Sequence, residues 1–426
     1  MKSFLGMLLG VVSFISAPVF AAEVITPVDY VYQVKKGDTL GGVSKELLAT
    51  PSRWKEVATY NKLPNEHRIY PGETLHVPFA LLKNVPAEGR IEAMAGNVFL
   101  NGQVAKIGDA VPSGAVVTTA KGGFARLSLP DGSLINVLES SRLDATKIEK
   151  KSQSNYFSSA FRLVAGRIDA IKKKYAEGQA PLLIHARNAT IGVRGTHFRI
   201  GQEDGNTLAE IEHGLVGFET ADAKQNLDLP GGFGSVADGV TPASVIPLLP
   251  APHFPSLPAE FSRITVRIAM PALAGAIAYR GEIATDAEFN QIVGAVAAQG
   301  NVLKIKGLND GQYWLRLRAV DKHGLQGLES ATPIAIKVRP FTIKANAPEF
   351  ESDKMLTHWQ GEVGAKYEFQ IAAKQDFSLP LVTLVTQETK LDLPRPDAGN
   401  YFLRLRPIDA EGEQGEWSDV VGFTAP

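Results

Sequence analysis

The sequence predicts a mainly β, multidomain protein: a small βααβ module, then an all-β domain, then two β-sandwich repeats. Forty glycines and 26 prolines in 426 residues suit many short strands and turns better than long helices. Short alternating segments separated by turn residues fill the centre of the chain. A segment near residue 311 recurs near residue 399, an offset of 88 residues (399 minus 311), so the C-terminal part predicts two copies of one module.

Residues 1–21 have the features of a cleavable export signal. Lys2 gives the positive start, residues 4–15 the apolar stretch, and residues 19–21 a small-residue cleavage site. The apolar stretch is too short to be an uncleaved membrane anchor. We therefore expect an exported protein with no transmembrane segment in the mature chain.

Composition excludes several classes of function. The chain has no cysteine, so it has no disulfide and no thiol nucleophile. A formal net charge of −1 gives no field that would attract nucleic acid, and no nucleic-acid partner is expected. The basic run Lys172-Lys173-Lys174 stands alone, and we interpret it as a solvated face.

Residues 30–79 predict the βααβ module. An alternating segment around Val31 to Val34 ends in a turn, where Asp38 or Thr39 can cap a helix that begins near Leu40. A second helix is expected from Trp54 to Asn61, and a closing strand from Thr74 to Val77.

One ordered set of residues runs through this module: Tyr32, Val34, Gly37, Asp38, Thr39, Leu40, Asn61, Ile69, Gly72, Leu75, Val77 and Pro78. This order resembles a LysM domain, a small non-catalytic binder of cell-wall glycan.

The LysM resemblance implies a shallow groove between the loop after the first strand and the loop before the last. Backbone groups there would bond the acetamide of an N-acetylglucosamine-containing glycan, and apolar side chains would contact its methyl group. The alternative is that these residues only form a turn, a cap and a core. The candidate peptidoglycan-binding residues are Gly37, Asp38, Thr39, Leu40, Ile69, Tyr70, Pro71 and Gly72.

Residues 93–220 predict the all-β domain. Asp131-Gly132 is a hairpin signal, because glycine tolerates the positive φ of a tight turn. The expected strands around it are 125–129, 134–138, 162–168 and 182–186.

Recognisable landmarks follow one another in this region: residues 107–111, Gly114, 117–119, 125–127, 131–133, 166–168, 193–196 and Phe198. Together they resemble a FecR domain, the periplasmic portion of a family of iron-uptake signalling proteins. Those proteins carry a cytoplasmic anti-sigma segment and a membrane helix, where this chain has an export signal and the LysM-like module. At residues 193–198, Gly195 allows a bend, Phe198 is a core candidate, and Arg194 could bond a carbonyl, a carboxylate or a ligand.

Residues 221–258 predict a Gly/Pro-rich linker. Six prolines fall between Pro242 and Pro258, which favours a semi-rigid, extended spacer. Leu248, Leu249 and Phe254 are apolar enough for part of this segment to lie against a domain instead.

The C-terminal copies occupy residues 259–340 and 341–426. Each resembles a fibronectin type III sandwich, and Tyr313 resembles its tyrosine corner, in which the phenol bonds upstream backbone. On the shared strand, Trp314, Arg316 and Arg318 are expected to face out. That face is interpreted as an ordinary amphipathic strand, with stacking on a sugar or a partner as the alternative.

No catalytic constellation is recognisable. His185, His197 and His213 lie in one region and could surround a zinc ion, but their spacing does not require it, so no metal or other cofactor is expected. Glu210 and Glu212 alternate on a probable strand, and solvent exposure is the expected reason. We expect no enzyme.

The sequence therefore favours a non-catalytic envelope protein that binds peptidoglycan glycan and presents β domains to an envelope partner. The alternative is a periplasmic signal relay, related to FecR-type regulators, that acts with a separate membrane partner.

Overall fold

A computed structural model describes residues 29–172, 180–241, 243–261, 265–337, 345–361, 366–408 and 414–426. Several features named above lie outside these residues: the export signal, Lys173, Lys174 and Pro242. Within the described ranges, no helix is long and apolar enough to cross a membrane.

The N-terminal module has the predicted βααβ order. Strand β1 (Asp29–Gln33) pairs antiparallel with β2 (Thr74–Pro78), and helices α1 (Leu40–Leu47) and α2 (Trp54–Tyr60) lie between them in the chain. A 3₁₀ turn, Pro51–Arg53, precedes α2.

Side-chain hydrogen bonds fix the ends of both helices. The Thr39 hydroxyl accepts from the Gly42 N–H at 3.1 Å, which satisfies one of the free donors at the start of α1. The Asn61 amide follows α2, donates to the His76 carbonyl and accepts from the His76 N–H, both at 2.7 Å. The Asn61 side chain therefore bonds the end of α2 to β2 with the same donor and acceptor pair that the main chain of a neighbouring strand would use.

The central region is all β and closes into a barrel around one core. Its strands are β3 (Asn84–Pro86), β4 (Glu88–Ala95), β5 (Val98–Leu100), β6 (Gln103–Val104), β7 (Ala110–Pro112), β8 (Val116–Thr119), β9 (Phe124–Ser128), β10 (Leu134–Val137), β11 (Arg142–Lys151), β12 (Phe157–Ile171), β13 (Leu182–His185), β14 (Ala189–Val193), β15 (His197–Glu203), β16 (Asn206–His213), β17 (Leu215–Thr220), β18 (Asn226–Pro230), β19 (Phe233–Ala237) and β20 (Ile246–Pro247).

The long strand β12 organises this barrel. Its first half pairs with β11 and β13, and its second half pairs with β10 and β15. Gly166, at φ +78°, marks the change of partner, and a Cβ there would meet Ser141 backbone at 2.6 Å. The sequence placed only residues 162–168 in this strand, because the glycine and its neighbours hid the continuity on either side.

The barrel and the N-terminal module contact each other at the β11–β12 turn. The Ser152 N–H donates to the Lys83 carbonyl at 2.9 Å, and the Lys151 ammonium donates to the Leu82 carbonyl at 3.1 Å. The rings of Phe79 and Tyr156 lie 5.0 Å apart. The module is thereby attached to the barrel through side chains as well as through the chain.

The segment 221–258, predicted as a linker, is not one throughout, because β18, β19 and β20 lie within it and belong to the barrel. The proline-rich remainder lies against its neighbours. Leu248 is buried with Leu208 of the barrel and Leu325 of the first repeat. Leu249 and Phe254 pack against the core of the first repeat.

Two sandwiches follow, which we call repeat 1 and repeat 2. Each has a four-stranded sheet facing a smaller one. Repeat 1 contains β21 (Val266–Ala269), β22 (Ala278–Ala284), β23 (Ile292–Gln299), β24 (Val302–Ile305), β25 (Gly311–Val320) and β26 (Gln326–Ile336). Repeat 2 contains β27 (Glu349–Glu351), β28 (Lys354–His358), β29 (Lys366–Ala372), β30 (Pro380–Thr386), β31 (Lys390–Pro394), β32 (Gly399–Ile408) and β33 (Val421–Ala425).

The offset of 88 residues holds in three dimensions. Phe289 and Phe377 are both buried and both have positive φ, 55° and 53°. The tyrosine corner is present twice: the Tyr313 hydroxyl donates to the Asn309 carbonyl at 3.1 Å, and the Tyr401 hydroxyl to the Asp397 carbonyl at 3.0 Å. The second corner forms although the leucine of the first copy is replaced there by proline.

Candidate functional site

The two candidate glycan-binding loops lie at the same end of the β1–β2 sheet. The antiparallel register places Gln33, where β1 ends, beside Thr74, where β2 begins. The Gly72 N–H donates to the Val34 carbonyl at 2.9 Å, which joins the start of one loop to the end of the other. The structure therefore brings residues 37–40 and 69–72 to one edge of the module.

Asp38 holds the first loop in shape. Its carboxylate accepts from the Lys35 N–H at 2.7 Å and from the Tyr32 hydroxyl at 2.8 Å. The backbone bond, followed by the phenol, lowers the pKa of Asp38. Burial and then this hydrogen bond raise the pKa of Tyr32 to about 12. Both groups therefore keep their charge states at neutral pH, and the loop is fixed.

Gly37 and Gly72 leave the rim of this edge open. Both have left-handed φ, +92° and +90°, and a Cβ on either would meet no heavy atom within 4 Å. The glycines are therefore required by backbone conformation, and they also keep side chains away from the space between the loops.

The apolar candidates divide into two groups. Tyr70 is 57% exposed and Pro71 is also exposed, so both can touch a ligand. Leu40 is 3% exposed and Ile69 is half-buried, and both pack in the core of the module. Leu40 does not reach the surface, because it is the first residue of α1 and points inward.

A second polar cluster, unforeseen in the sequence, lies between the barrel and repeat 1. We call it the joint. Its apolar part places Phe124 of the barrel against Phe289, Ile292 and Trp314 of repeat 1. Its polar part consists of charged side chains on β12, β15, β16, β22 and β25.

Asp169 on β12 lies at the centre of the joint. It accepts from Arg316 at 3.3 Å, from Arg318 at 3.4 Å and from His197 Nε2 at 2.7 Å. Burial alone would raise the pKa of Asp169, but His197 and the two guanidinium groups outweigh it and hold that pKa well below its usual range. The buried carboxylate is thus ionised and shared by both domains.

Two arginines of the barrel reach backbone carbonyls of repeat 1. Arg199 donates to the Gly327 carbonyl at 2.8 Å, and Arg167 donates to the Gly324 carbonyl at 3.1 Å. Arg167 is held by Glu210 at 2.8 Å, and Glu210 also accepts from the Gln326 N–H at 2.9 Å. Carboxylate, guanidinium and main chain therefore form one network across the boundary.

His197 lies between two carboxylates at the edge of this network. Its Nε2 is 2.7 Å from Asp169, and its Nδ1 is 3.0 Å from Glu212. Burial opposes the charged imidazolium, but Asp169 and then Glu212 outweigh it, so the pKa of His197 is raised.

The structure corrects three interpretations of the sequence. Glu210 and Glu212 were expected in solvent, but they are 0% and 8% exposed because Arg167 and Arg199 cover them. Lys172 was assigned to a solvated face, but it is buried against Asp131.

The third correction concerns the arginine strand of repeat 1. Arg316 and Arg318 do point away from the core of their own repeat, as expected. They are nevertheless 6% and 0% exposed, because the barrel covers that face.

The landmark at residues 193–198 is only partly as expected. Gly195 has φ +65° and Phe198 is fully buried, so the bend and the core residue are confirmed. Arg194 is exposed, and it is Arg199, five residues on, that bonds carbonyls.

The histidines do not converge on a metal. His185 contacts the Thr190 hydroxyl at 3.1 Å, His197 contacts carboxylates, and His213 is exposed. In the part of the chain that the structure describes, no group of three or more His, Cys, Asp or Glu side chains could hold a metal ion.

Comparisons with known proteins identify two regions of the chain. Residues 32–78 match the model of the LysM domain, and residues 115–217 match that of the FecR protein. Both resemblances seen in the sequence are confirmed. Both families are binding or regulatory rather than catalytic, and both domains are typical of envelope proteins.

Similarity to whole proteins is weak. No curated protein matches the chain. A protein of Parabacteroides distasonis assigned as an anti-sigma factor is 16% identical over 31% of this chain and 59% of its own length, with a TM-score of 0.26. The chicken CNTN1 FN1–FN3 domains are 11% identical over 72% of this chain and 99% of their own length, with a TM-score of 0.22. Scores this low carry no argument about function.

Proposed function

We propose that this protein binds peptidoglycan glycan through its LysM-like module, at residues 30–79, and thereby holds the rest of the chain at the cell wall. The observation that supports this most directly is the open edge between residues 37–40 and 69–72, with Tyr70 and Pro71 exposed beside it. The proposed binding residues are Gly37, Asp38, Thr39, Leu40, Ile69, Tyr70, Pro71 and Gly72.

Within this proposal the residues have different roles. Tyr70 and Pro71 offer apolar contact to an N-acetyl methyl group, and exposed backbone of both loops bonds its amide. Asp38 and Thr39 act by holding the first loop and starting α1, while Leu40 and Ile69 support the edge from the core. The protein would be exported to the periplasm and non-catalytic.

A co-sedimentation assay on purified sacculi tests the anchoring. The full mature chain, residues 22–426, would be compared with Tyr70→Ala and with a matched control, Tyr60→Ala. Tyr60 is 43% exposed, but it lies on α2, away from the two loops. We expect Tyr70→Ala to lower retention about tenfold, the loss of roughly 1.4 kcal/mol, and Tyr60→Ala to retain the native level.

A chain without residues 22–80 gives the background of this assay. Retention of that chain at the native level would overturn the proposal, and so would equal losses for Tyr70→Ala and Tyr60→Ala. Competition by soluble N-acetylglucosamine oligomers distinguishes binding to glycan from adhesion to sacculi.

A second candidate function is a signal relay that acts with a separate membrane partner. The match of residues 115–217 to the FecR family favours it. The relay predicts that deletion and overproduction of the protein change the output of an extracytoplasmic sigma factor in opposite directions, measured with a promoter reporter. Unchanged output in both strains would exclude it.

A further inference from the structure

The four-stranded sheet of repeat 2 has an outer face equivalent to the one that repeat 1 buries in the joint. Arg404 and Arg406 on β32 take the places of Arg316 and Arg318 on β25 by the offset of 88 residues. Arg318 has a side chain 0% exposed, whereas that of Arg406 is 21% exposed. The same face is thus closed in one repeat and accessible in the other.

Aromatic rings hold these arginines in place. The Arg404 guanidinium lies 4.1 Å from the ring of Phe377 and 4.0 Å from that of Trp417, and the Arg406 guanidinium lies 4.3 Å from Trp417. Arg404 also donates to the Gln370 amide oxygen at 2.8 Å. Because both side chains are already ordered, a ligand would lose little of their conformational entropy on binding.

The edge strand β30 adds an exposed apolar border to this face. Leu379 just before the strand, and Leu381 and Val385 on it, are 83%, 60% and 58% exposed. Leu381 and Val385 point to the side of the sheet that carries the two arginines, since Val385 pairs with Glu368 and the residues next to them, Val382 and Leu384, pack against the core. In repeat 1, the corresponding strand, β23, contributes Ile292 to the apolar part of the joint. Apolar side chains beside ordered arginines thus recur in both repeats.

The two arginines on the outer face of repeat 2 lack one carboxylate partner that the arginines of repeat 1 have. Gln370 replaces Glu282, the carboxylate that pairs with Arg316 and Arg318 in repeat 1. Among the described residues, the strands of this face carry Arg404, Arg406, Lys366 and Glu368, a net charge of +2. Glu368 pairs with Arg406 at 2.6 Å. Repeat 1 meets its arginines with Asp169 from the neighbouring domain.

We propose that the outer face of repeat 2 is a docking surface for a partner protein that presents a carboxylate surrounded by apolar side chains, as the barrel presents Asp169 beside Phe124 to repeat 1. This inference deepens the proposed function, since it specifies the surface and the chemistry of the envelope partner. A second copy of the chain is a poorer occupant, because its own acidic barrel face is already covered by its own repeat 1.

Site-specific photo-crosslinking in living cells tests this surface on the full chain. A photoreactive phenylalanine would replace Leu381 on the face or, as a control, Asp392, which is exposed on β31 of the opposite sheet. We expect a discrete crosslink from position 381 and none from position 392. The crosslinked partner peptide should contain Asp or Glu next to apolar residues.

Charge variants connect the crosslink to the arginines. Arg404→Glu should reduce its yield at least about tenfold. Arg404→Lys should reduce it less than Arg404→Glu does, since the lysine keeps the positive charge but loses the stacking on Phe377 and Trp417. Val385→Asp, at an exposed position that cannot disturb the core, should reduce the yield similarly. It serves as the deciding variant if Arg404→Glu lowers the melting temperature.

Four results would overturn the docking surface: no crosslink above the control position, a yield insensitive to both Arg404→Glu and Val385→Asp, a crosslink to a second copy of the chain, or a mapped peptide without an acidic residue. Sacculus retention of the same variants is measured in parallel. Native retention on sacculi without a crosslink rejects the docking surface and leaves the anchoring proposal intact. Lost retention with a crosslink rejects the anchoring proposal and leaves the docking surface intact.

Discussion

Repeat 1 and repeat 2 share a scaffold but differ in what covers their outer faces. Arg316 lies on the ring of Phe289 as Arg404 lies on that of Phe377. In repeat 1 the barrel buries Arg316 and Arg318, while in repeat 2 Arg404 and Arg406 lie on Trp417 and stay partly exposed. The strands that carry them have the same alternation of apolar and charged residues. The comparison teaches that this alternation shows which side chains point away from the sandwich core. It does not show whether those side chains are exposed, because that depends on the neighbouring domain.

The largest effect is expected from a substitution in the buried ion-pair network on the outer face of repeat 1. Arg318→Ala removes one partner of a fully buried network and leaves Glu282 and Asp169 without it, so we expect unfolding to become easier by about 3–5 kcal/mol. The equivalent change in repeat 2, Arg406→Ala, should cost less, about 1–2 kcal/mol, because the side chains of the Arg406–Glu368 pair are still 21% and 11% exposed and water can replace part of the lost contact. Urea unfolding of the two variants measures the difference.

Equal losses for these two variants would contradict the comparison. Arg318→Met is the matched control for packing, since it keeps the apolar stem and removes only the charged group.

A smaller effect should appear in the pH dependence of the joint. The pKa of His197 is raised, so its contribution is complete below the ordinary histidine value of 6.5 and is lost as the pH rises through the folded-state pKa. The pKa of Asp169 is lowered, so its contribution is present above the ordinary value of 3.8 and is lost as the pH falls. Stability should therefore decline at both ends.

The variant His197→Gln isolates the alkaline side of this profile. It should flatten the decline above pH 6.5 and leave the acidic side in place, as followed by thermal unfolding across pH. His197 also faces Glu212 and Glu329. If stability still declines equally at alkaline pH in this variant, groups other than His197 set the pH dependence of the joint.

The smallest effect should be the same in both repeats. Tyr313→Phe and Tyr401→Phe each remove one phenol hydrogen bond to upstream backbone, which costs about 1 kcal/mol. Matched losses in denaturant unfolding would confine the difference between the repeats to their outer faces. A loss confined to one repeat would show that the duplication is less complete than the geometry indicates.

The sequence predicted the elements that depend on local signals. Turns, caps and alternation within about fifty residues predicted the start of α1 with a cap at Asp38 or Thr39, and the bounds of α2 and β2 to within one residue. They did not predict where α1 ends. The duplication followed from one offset, which also placed both tyrosine corners.

The joint was beyond the reach of such signals. Arg167 donates to the Gly324 carbonyl from 157 residues away, and Arg126 donates to the Phe289 carbonyl from 163 residues away. No local sequence pattern relates residues so far apart in the chain. Glu210 and Arg318 stand at alternate strand positions, which fit water and a second domain equally well. A useful signal would have been that β15 and β16 carry several charged residues although they are otherwise apolar. Strands that face water on one side seldom combine many charged residues with many apolar ones.

The strand β12 lies next to both neighbours of the barrel. The turn that precedes it, at Ser152 and Tyr156, contacts the LysM-like module, and Asp169 near its end is shared with repeat 1. Between these contacts the strand bulges at Val164 and changes partner at Gly166, where a Cβ would meet Ser141. A side chain at position 166 would therefore disturb the one strand that reaches both contacts, and would weaken the attachment of both neighbours together.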